Sequence, residues 1–437
     1  MLFVTAEATV SEQIVGHFGE TETFDPGDFL KSRNLRFVLD DARYLVHLVL
    51  TKLANGSVDQ KGWVRLHGKH LRNVMHQTLC TEIIGALIAG GAILRTSYCR
   101  GERSYGYMLA DRFCDVEHVR VPAEDVRLIK RLDLFHNRIE KGRRDRMLPV
   151  HLALEDRQRG LAIHGDCAEQ ILRKLPVKSN PYDVQGILVA DIVNGDYHVN
   201  VGRYGRLSNN VTSLKRELRA SLHYAGAPLC SVDVVNCQPA LLGLVAQREG
   251  CVGPDCRDAQ LYCTLVQRGE FYEYMIDALA GSGITREKLK ARFLTDVVAK
   301  KKANQRGAEY PSDVEDKFRE LFPTIYRLIR RCNKDGWEHH NLIRRLQRAE
   351  SHVVIETVAA DLVSRMPDAF IITLHDAIYT TDDFIADVVS AFNTAFFETR
   401  FSMKLKVERT VQNQGTPIAP ARSCVELVPE AARNPST

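Results

Sequence analysis

The chain is predicted to be an α+β protein, and three observations carry that prediction. Two short β-branched runs, Leu229–Pro239 and Ile371–Thr380, have the length and apolar content of buried strands. The stretch before residue 180 repeats apolar residues at helical spacing, as at Phe37, Leu39, Tyr44, Leu45, Leu48 and Leu50. From about residue 183 onward, strand-like runs alternate with helical ones.

With 437 residues, the chain has room for two or three domains and a sizeable core. Apolar residues make up 45% and charged residues 26%, as in an ordinary globular protein. No apolar run approaches the ~20 residues of a membrane span. Met1–Glu7 lacks the basic start and apolar block of a signal peptide. The expectation is a soluble cytoplasmic protein with no membrane partner. The eleven cysteines form no Cys-x-x-Cys pair and read as reduced core thiols, as at Cys80, Cys230 and Cys332. Cys251, Cys256 and Cys263 have no histidine nearby at a zinc-ligand spacing.

Taken in order, residues 1–30 are polar and carry the turn signal Phe24-Asp25-Pro26-Gly27-Asp28, and they read as a flexible arm. Residues 31–113 read as three helices (the later two at Gly68–Met75 and Thr81–Ala89) and a hairpin of Ala92–Tyr98 with Tyr105–Leu109. That order resembles a winged helix, a shape that contacts either DNA or protein. On the first of these readings Arg95, Arg100 and Arg103 sit on a DNA-contacting wing. Residues 114–182 read as two amphipathic helices, Ala123–Glu140 and Leu148–Leu175, around the basic stretch Lys141–Arg146. Such a hairpin would grip a duplex or serve as a spacer. In residues 183–411, Val184–Ile192 and Tyr197–Val201 read as strands, followed by the two acidic strands, a helix Phe384–Phe397 and a strand Leu405–Val411. Residues 412–437 are rich in Pro, Ala, Ser and Thr and read as a disordered tail.

The two β-branched runs each hold one acid, Asp233 and Asp376, 143 residues apart. A buried carboxylate is costly unless it is paired, hydrogen-bonded or bound to metal. The second run reads as a hairpin turning at His375-Asp376. Two acids on adjacent strands could hold two Mg²⁺ ions ~4 Å apart, or Mn²⁺, beside a phosphate. Between them, Gly283–Glu350 carries 17 Lys/Arg against 10 Asp/Glu, a balance that suits a phosphate backbone or a solvated helical surface. Within it, Thr285 reads as the N-cap of a helix whose Arg286 and Lys290 share a face, with Phe293 one turn on.

These residues together resemble the family A DNA polymerases and their relatives, the single-subunit phage-type RNA polymerases, over roughly residues 197–411. Gly205-Arg206-Leu207-Ser208-Asn209 is similar to the segment ahead of the palm whose arginine contacts the primer–template. Asp233 through Gln238 resembles motif A, Arg286 and Lys290 match motif B, and Leu374-His375-Asp376 resembles motif C. Phe318–Pro323 resembles the segment after the motif B helix. The resemblance implies a right-hand palm, fingers (about 240–345) and thumb, with the 114–182 region as thumb. It implies catalytic Asp233, Asp376 and Lys290, with metal on both aspartates. It implies substrate contacts from Arg286, Gln238 and Leu294, and a nucleic-acid contact from Arg206. Phe293 on the cationic stripe would stack a base, and His375 beside Asp376 would touch the primer end. Gln347 and Glu350, ahead of the apolar run Val353–Leu362, read either as primer–template contacts or as caps of a core helix.

The implied partners are a primer–template and nucleoside triphosphates, dNTPs ahead of NTPs, in a short exonuclease-free build of plasmid or phage type. The sequence departs from the family at Gln238, where the DNA enzymes carry a glutamate, at Ala377 after motif C, and in the missing aromatic and glycine pattern after Lys290. RNA synthesis, a primase-like activity, or a DNA-binding protein that keeps the fold without catalysis are the alternatives. Oligomeric state is not legible.

Overall fold

A computed structural model describes residues 9–10, 39–59, 61–99, 103–113, 118–119, 123–177, 180, 183–302, 310–411 and 421–427. Arg100 and nearly all of residues 1–30 lie outside the described residues. The fold is mixed α+β and divides into two compact units, each built from separate chain segments. The first takes Met1–Met147, Leu161–His198 and Asn209–His223; the second takes Leu148–Gly160, Val199–Ser208 and Tyr224–Thr437. The expected boundary at residue 182 is therefore corrected: the chain passes between units several times. No helix among the described residues is long and apolar enough to cross a membrane.

In the first unit, helix Leu39–Ala54 is followed by strand Val64–Leu66, helices Gly68–Val74 and Cys80–Ala89, and strands Ile93–Arg95 and Tyr105–Leu109. Tyr105–Leu109 is the middle strand of an antiparallel three-stranded sheet, with Tyr107 opposite both Val64 and Arg95. The expected helices and hairpin are present, and Val64–Leu66 adds a strand. Leu45, Val49, Leu71, Ile83, Leu87 and Tyr107 share one core. Leu128 and Leu132 of helix Val126–Arg144 join it. Asp41 fastens that helix: its Oδ1 accepts from the His76 amide at 2.6 Å and from Arg131 at 3.2 Å. Residues 123–147 thus belong to this unit and do not form a separate thumb-like region.

Two further expectations are corrected here. The long helix over 148–175 is instead a helix Pro149–Gln158, a strand Leu161–Ile163 and a helix Gly165–Leu172. Pro149 starts the first of these, its missing N–H costing nothing at that position. Just past its end, Gly160 must be glycine because a Cβ there would lie 2.4 Å from the Tyr224 ring. The run Val184–Ile192 is a helix, Val184–Val193. The Asp183 side chain caps it by accepting from the Gly186 amide at 3.3 Å, and Leu188, Val189 and Ile192 are buried. A short run apolar on several faces does not distinguish strand from helix by period.

The second unit is organised on a five-stranded antiparallel sheet, ordered Ile372–Leu374, Ala377–Thr380, Cys230–Val234, Leu405–Val411, Ala421–Leu427. The last strand corrects the expected disordered tail. It pairs in register from Leu405↔Leu427 to Val411↔Ala421, and its alternation of Val425 and Leu427 with Cys424 and Glu426 suits a strand. Helix Ile385–Thr399 and the turns His352–Ala359 pack against the sheet. Arg157 of the Pro149–Gln158 helix donates to the carbonyls of Val363 (3.3 Å), Met366 (2.8 Å) and Pro367 (3.1 Å). These bonds satisfy the end of helix Ala360–Arg365.

Between the sheet strands, helices Cys237–Arg248, Arg257–Arg268, Phe271–Ala278, Arg286–Arg292, Asp313–Leu321 and Pro323–Cys332 form a helical region. Its centre is aromatic. Phe271 meets Tyr262 at 5.3 Å, Tyr272 at 5.2 Å and Phe293 at 5.0 Å between ring centres, and Phe318 and Phe322 at 6.2 Å. Cys80, Cys230, Cys237 and Cys263 are buried, while Cys332, expected in a core, is half-buried.

Candidate active site

The sheet brings the two acids together. Asp233, near the end of its strand, stands opposite Ala377 on one side and Lys406 on the other. Asp376 is the residue before Ala377, in a two-residue turn where His375 adopts a left-handed φ of 55°. The Val234 amide donates to the Asp376 carbonyl at 3.3 Å, which locks the turn to the neighbouring strand. Both carboxylates are half-buried. Burial raises the Asp233 carboxyl well above its usual range, and the charges of Asp376 and Glu408 raise it further against Lys406 and Lys290. Burial also raises Asp376, opposed by backbone hydrogen bonding, by Arg206 and by a hydrogen bond from the Cys237 thiol.

Two carboxylates held close at a cost in ionisation are a donor set for a hard divalent cation. A cation would relieve their repulsion, and carboxylate oxygens are what Mg²⁺ or Mn²⁺ takes. Among the described residues, no group of three or more His, Cys, Asp or Glu side chains forms a complete cage. A pair of carboxylates leaves the remaining positions to water and phosphate oxygens, the usual habit of Mg²⁺.

The cations stand on the helix Arg286–Arg292. Thr285 caps it, its hydroxyl accepting from the Lys288 amide at 3.4 Å. Arg286 and Lys290 lie above the Tyr272 ring, at 5.5 and 5.7 Å from its centre. Arg286 donates to Asn236 Oδ1 at 3.0 Å and to Glu273 Oε1 at 2.7 Å. Asn236 follows the Asp233 strand in a left-handed conformation, φ 55°, and its Nδ2 donates to the Gly269 carbonyl at 2.8 Å. Gly269, itself at φ +73°, must be glycine there because a Cβ would meet Val235 at 2.9 Å. Asn236 thus bolts the Arg286–Arg292 helix to the acidic strand. Lys290 is exposed, and burial and Arg286 lower its pKa while Asp233 and Asp376 push it up, so it lies in the field of both acids.

Phe293 does not share the exposed stripe. It is 1% exposed and packs among Phe271, Tyr272 and Phe318. The helix is regular up to this residue, its amide bonding the Leu289 carbonyl, so Phe293 follows Arg286 and Lys290 around the same Tyr272 ring but at the buried end, where its apolar side chain joins the aromatic core. Tyr272, 3% exposed, is the aromatic beneath the two cations. Leu294 is half-buried and His375 is exposed.

A second set of side chains meets at Glu350. This residue is 2% exposed, and its Oε2 accepts from Arg206 at 2.6 Å and from Gln238 Nε2 at 2.6 Å. Burial raises its pKa, while Arg206 holds it down. The charges of Asp376, Glu350, Asp233 and Arg206 all act on the buried Cys237 thiol, so this set adjoins the acidic pair. Gln347 lies one turn earlier on helix Asn341–Ser351 and is half-buried. Replacing Glu350 with alanine is expected to cost about 1–3 kcal/mol, since it removes two charge-assisted bonds and leaves a partly buried guanidinium. The denaturation midpoint measures this, and an unchanged midpoint would show that the bonds contribute nothing.

Asp233, Asp376, Arg286, Lys290, Gln238 and Arg206 are therefore assembled in one unit. Arg95 and Arg103 lie in the other. Arg95 stacks over Tyr105 at 4.7 Å, and Arg103 is exposed. Asn236, Cys237, Lys406 and Glu408 belong to the site without having been singled out in the sequence. Only Asn236 carried a signal, an asparagine directly after a strand, where left-handed backbone is tolerated.

No described protein family matches the chain, and no curated protein matches it. Among solved structures, the chain is similar to the POL domain of Pol1 from M. smegmatis, in complex with DNA primer-template and dNTP. The TM-score is 0.34 and the identity 11%, over 64% of this chain and 72% of that chain.

Proposed function

We propose that the chain is a template-directed nucleotidyltransferase that makes DNA from dNTPs on a primer–template. The observation that carries this is the carboxylate pair Asp233–Asp376 on adjacent strands, with Lys290 in the field of both. Divalent cations bound by the two aspartates would neutralise phosphate charge and ease ionisation of an attacking hydroxyl. The chain's own residues do the rest. Lys290 and Arg286 hold the triphosphate, Arg286 kept in place by Asn236 and Glu273. Gln238, fixed by Glu350, would meet the sugar, and Arg206 and Gln347 would meet the nucleic acid. Arg95 and Arg103, in the other unit, would contact DNA on their own account.

Incorporation on a primer–template with Mg²⁺ and either dNTPs or NTPs tests the reading. Absence of extension with both, under conditions where the nucleic acid is bound, would overturn it. RNA synthesis is the second reading, favoured by one observation: Gln238 offers a neutral amide where the DNA enzymes it resembles carry an acid. Gln238→Ala is expected to shift the dNTP/NTP ratio about tenfold toward NTPs, the scale of one lost contact of 1–2 kcal/mol. An unaltered ratio would remove Gln238 from sugar selection.

A further inference from the structure

Trp337 is the most exposed aromatic with a built setting, 71% of it open to solvent. Three consecutive residues before it, Lys334, Asp335 and Gly336, have left-handed φ values of 46°, 54° and 88°. Such a turn is strained for Lys and Asp and persists only if its surroundings hold it. They do. Asn333, 1% exposed, donates to the Val298 carbonyl at 2.7 Å and accepts from the Leu342 amide at 2.9 Å. The Gly336 backbone lies so close to 300–302 that a Cβ would sit 2.6 Å from the Lys302 nitrogen. The fold therefore spends rigid, strained backbone on presenting an indole to solvent.

The surroundings of the indole are cationic. Lys302 Nζ lies 4.4 Å from the ring centre. The rings of His339 and His340 are 3.9 Å apart, and His340, Lys301 and Arg344 all act on His339. The nearby acids are already engaged: Glu338 by Lys334 and Asn341, Asp335 by Arg330. Lys301, Lys302 and Arg344 are exposed and form no ion pair among the described residues. The core of a protein-docking interface is depleted of charge, and of lysine in particular. A flat aromatic with Lys302 at its ring, and with Lys301 and Arg344 acting on His339 two residues on, matches a partner that offers flat rings and negative charge together.

We propose that Trp337, with Lys301, Lys302 and Arg344, is a binding platform for single-stranded nucleic acid, a base stacking on the indole and phosphates meeting the cations. The platform needs neither nucleotide nor metal, so it stands or falls apart from the polymerase reading. The chain has two tryptophans, Trp63 and Trp337, so a Trp63→Phe variant of the full chain makes Trp337 the sole indole reporter. Titration with an oligo-dT of about 15 nucleotides, without metal, is expected to quench its fluorescence.

Trp337→Ala, followed by anisotropy of labelled oligo-dT, is expected to weaken binding about tenfold, and Trp337→Phe to restore most of it. Changing Lys301 and Lys302 to Gln should flatten the dependence of log affinity on log salt by about 1.4, two phosphate contacts to a single strand. Absence of quenching at oligonucleotide concentrations where anisotropy saturates would overturn the platform. So would a Trp337→Ala protein that melts and binds like the parent.

Discussion

Replacing Asp233 with asparagine is expected to abolish nucleotide incorporation while making the protein harder to denature. The loss of activity follows from the donor set: an amide is a poor partner for a hard cation, and the site has only Asp376 left on the adjacent strand. A cation that supplies several kcal/mol of charge stabilisation corresponds to a fall of about a thousandfold or more. The gain in stability follows from the same geometry. Both acids have folded pKa values raised above their ordinary range, so folding disfavours their ionised form.

The sign runs one way. Below the ordinary carboxylate pKa both states are protonated, and the pair costs nothing. As pH rises past it the unfolded chain releases its protons first, and the native state is progressively disadvantaged up to the raised folded values. At neutral pH in EDTA, Asp233→Asn removes that disadvantage and is expected to stabilise by about 0.5–2 kcal/mol. Near pH 3 the difference should vanish. Mg²⁺ should raise the melting temperature of the parent more than that of the variant. A variant that keeps incorporating nucleotides would remove the metal role from Asp233. One that is less stable than the parent at neutral pH would show that the carboxylate is satisfied and not repelled.

Phe271→Ala is expected to have the largest effect on folding of any single substitution in the helical region. The ring is fully buried and contacts five aromatic neighbours that lie on four different helical segments. Removing it leaves a cavity that the surrounding rings cannot fill without leaving their edge-to-face packing. The expected cost is about 3–5 kcal/mol. Phe293 directly continues the Arg286–Arg292 helix, so the loss should reach the cations above Tyr272 as well as the core. Hydrogen exchange should show lost protection over residues 286–298 while the sheet strands stay protected. Phe271→Leu, which keeps most of the volume, should cost less than about 1.5 kcal/mol. Unchanged exchange in the alanine variant would mean that the helix is held by Asn236 and Thr285 alone.

Much of this site was legible before the structure. The two acidic strands read correctly because a short β-branched run with a single acid and a following turn residue has few other solutions. Thr285, Arg286 and Lys290 read correctly because capping and four-residue spacing are local properties. What was not legible depended on distant partners. Gln238 is held by a glutamate 112 residues away, and Arg206 meets the same group from 144 residues away. Glu350 read in the sequence as a primer–template contact or a helix cap, with no sign of the arginine and glutamine that meet on it. Phe293 misled because spacing gives the face of a helix but not how deep the end of that face is buried. The strand Ala421–Leu427 was hidden by the composition of the segment around it, and the helix Val184–Val193 by its lack of any polar face.

The discontinuous make-up of the second unit has a consequence for how the chain is made. Arg206 leaves the ribosome long before Glu350, and the Pro149–Gln158 helix long before the carbonyls that Arg157 will satisfy. The sheet closes last, since the strand beside Asp233 begins only at Leu405. Contacts of such sequence separation make for slow folding, with loop-closure entropy lost before the contacts repay it. A fragment beginning at Tyr224 would contain both aspartates and Lys290, yet it would lack Arg206 and leave Glu350 buried without its counter-charge. Dissection of this protein by truncation is therefore expected to yield insoluble pieces, whereas nicking at exposed loop tips should leave an associated, working whole.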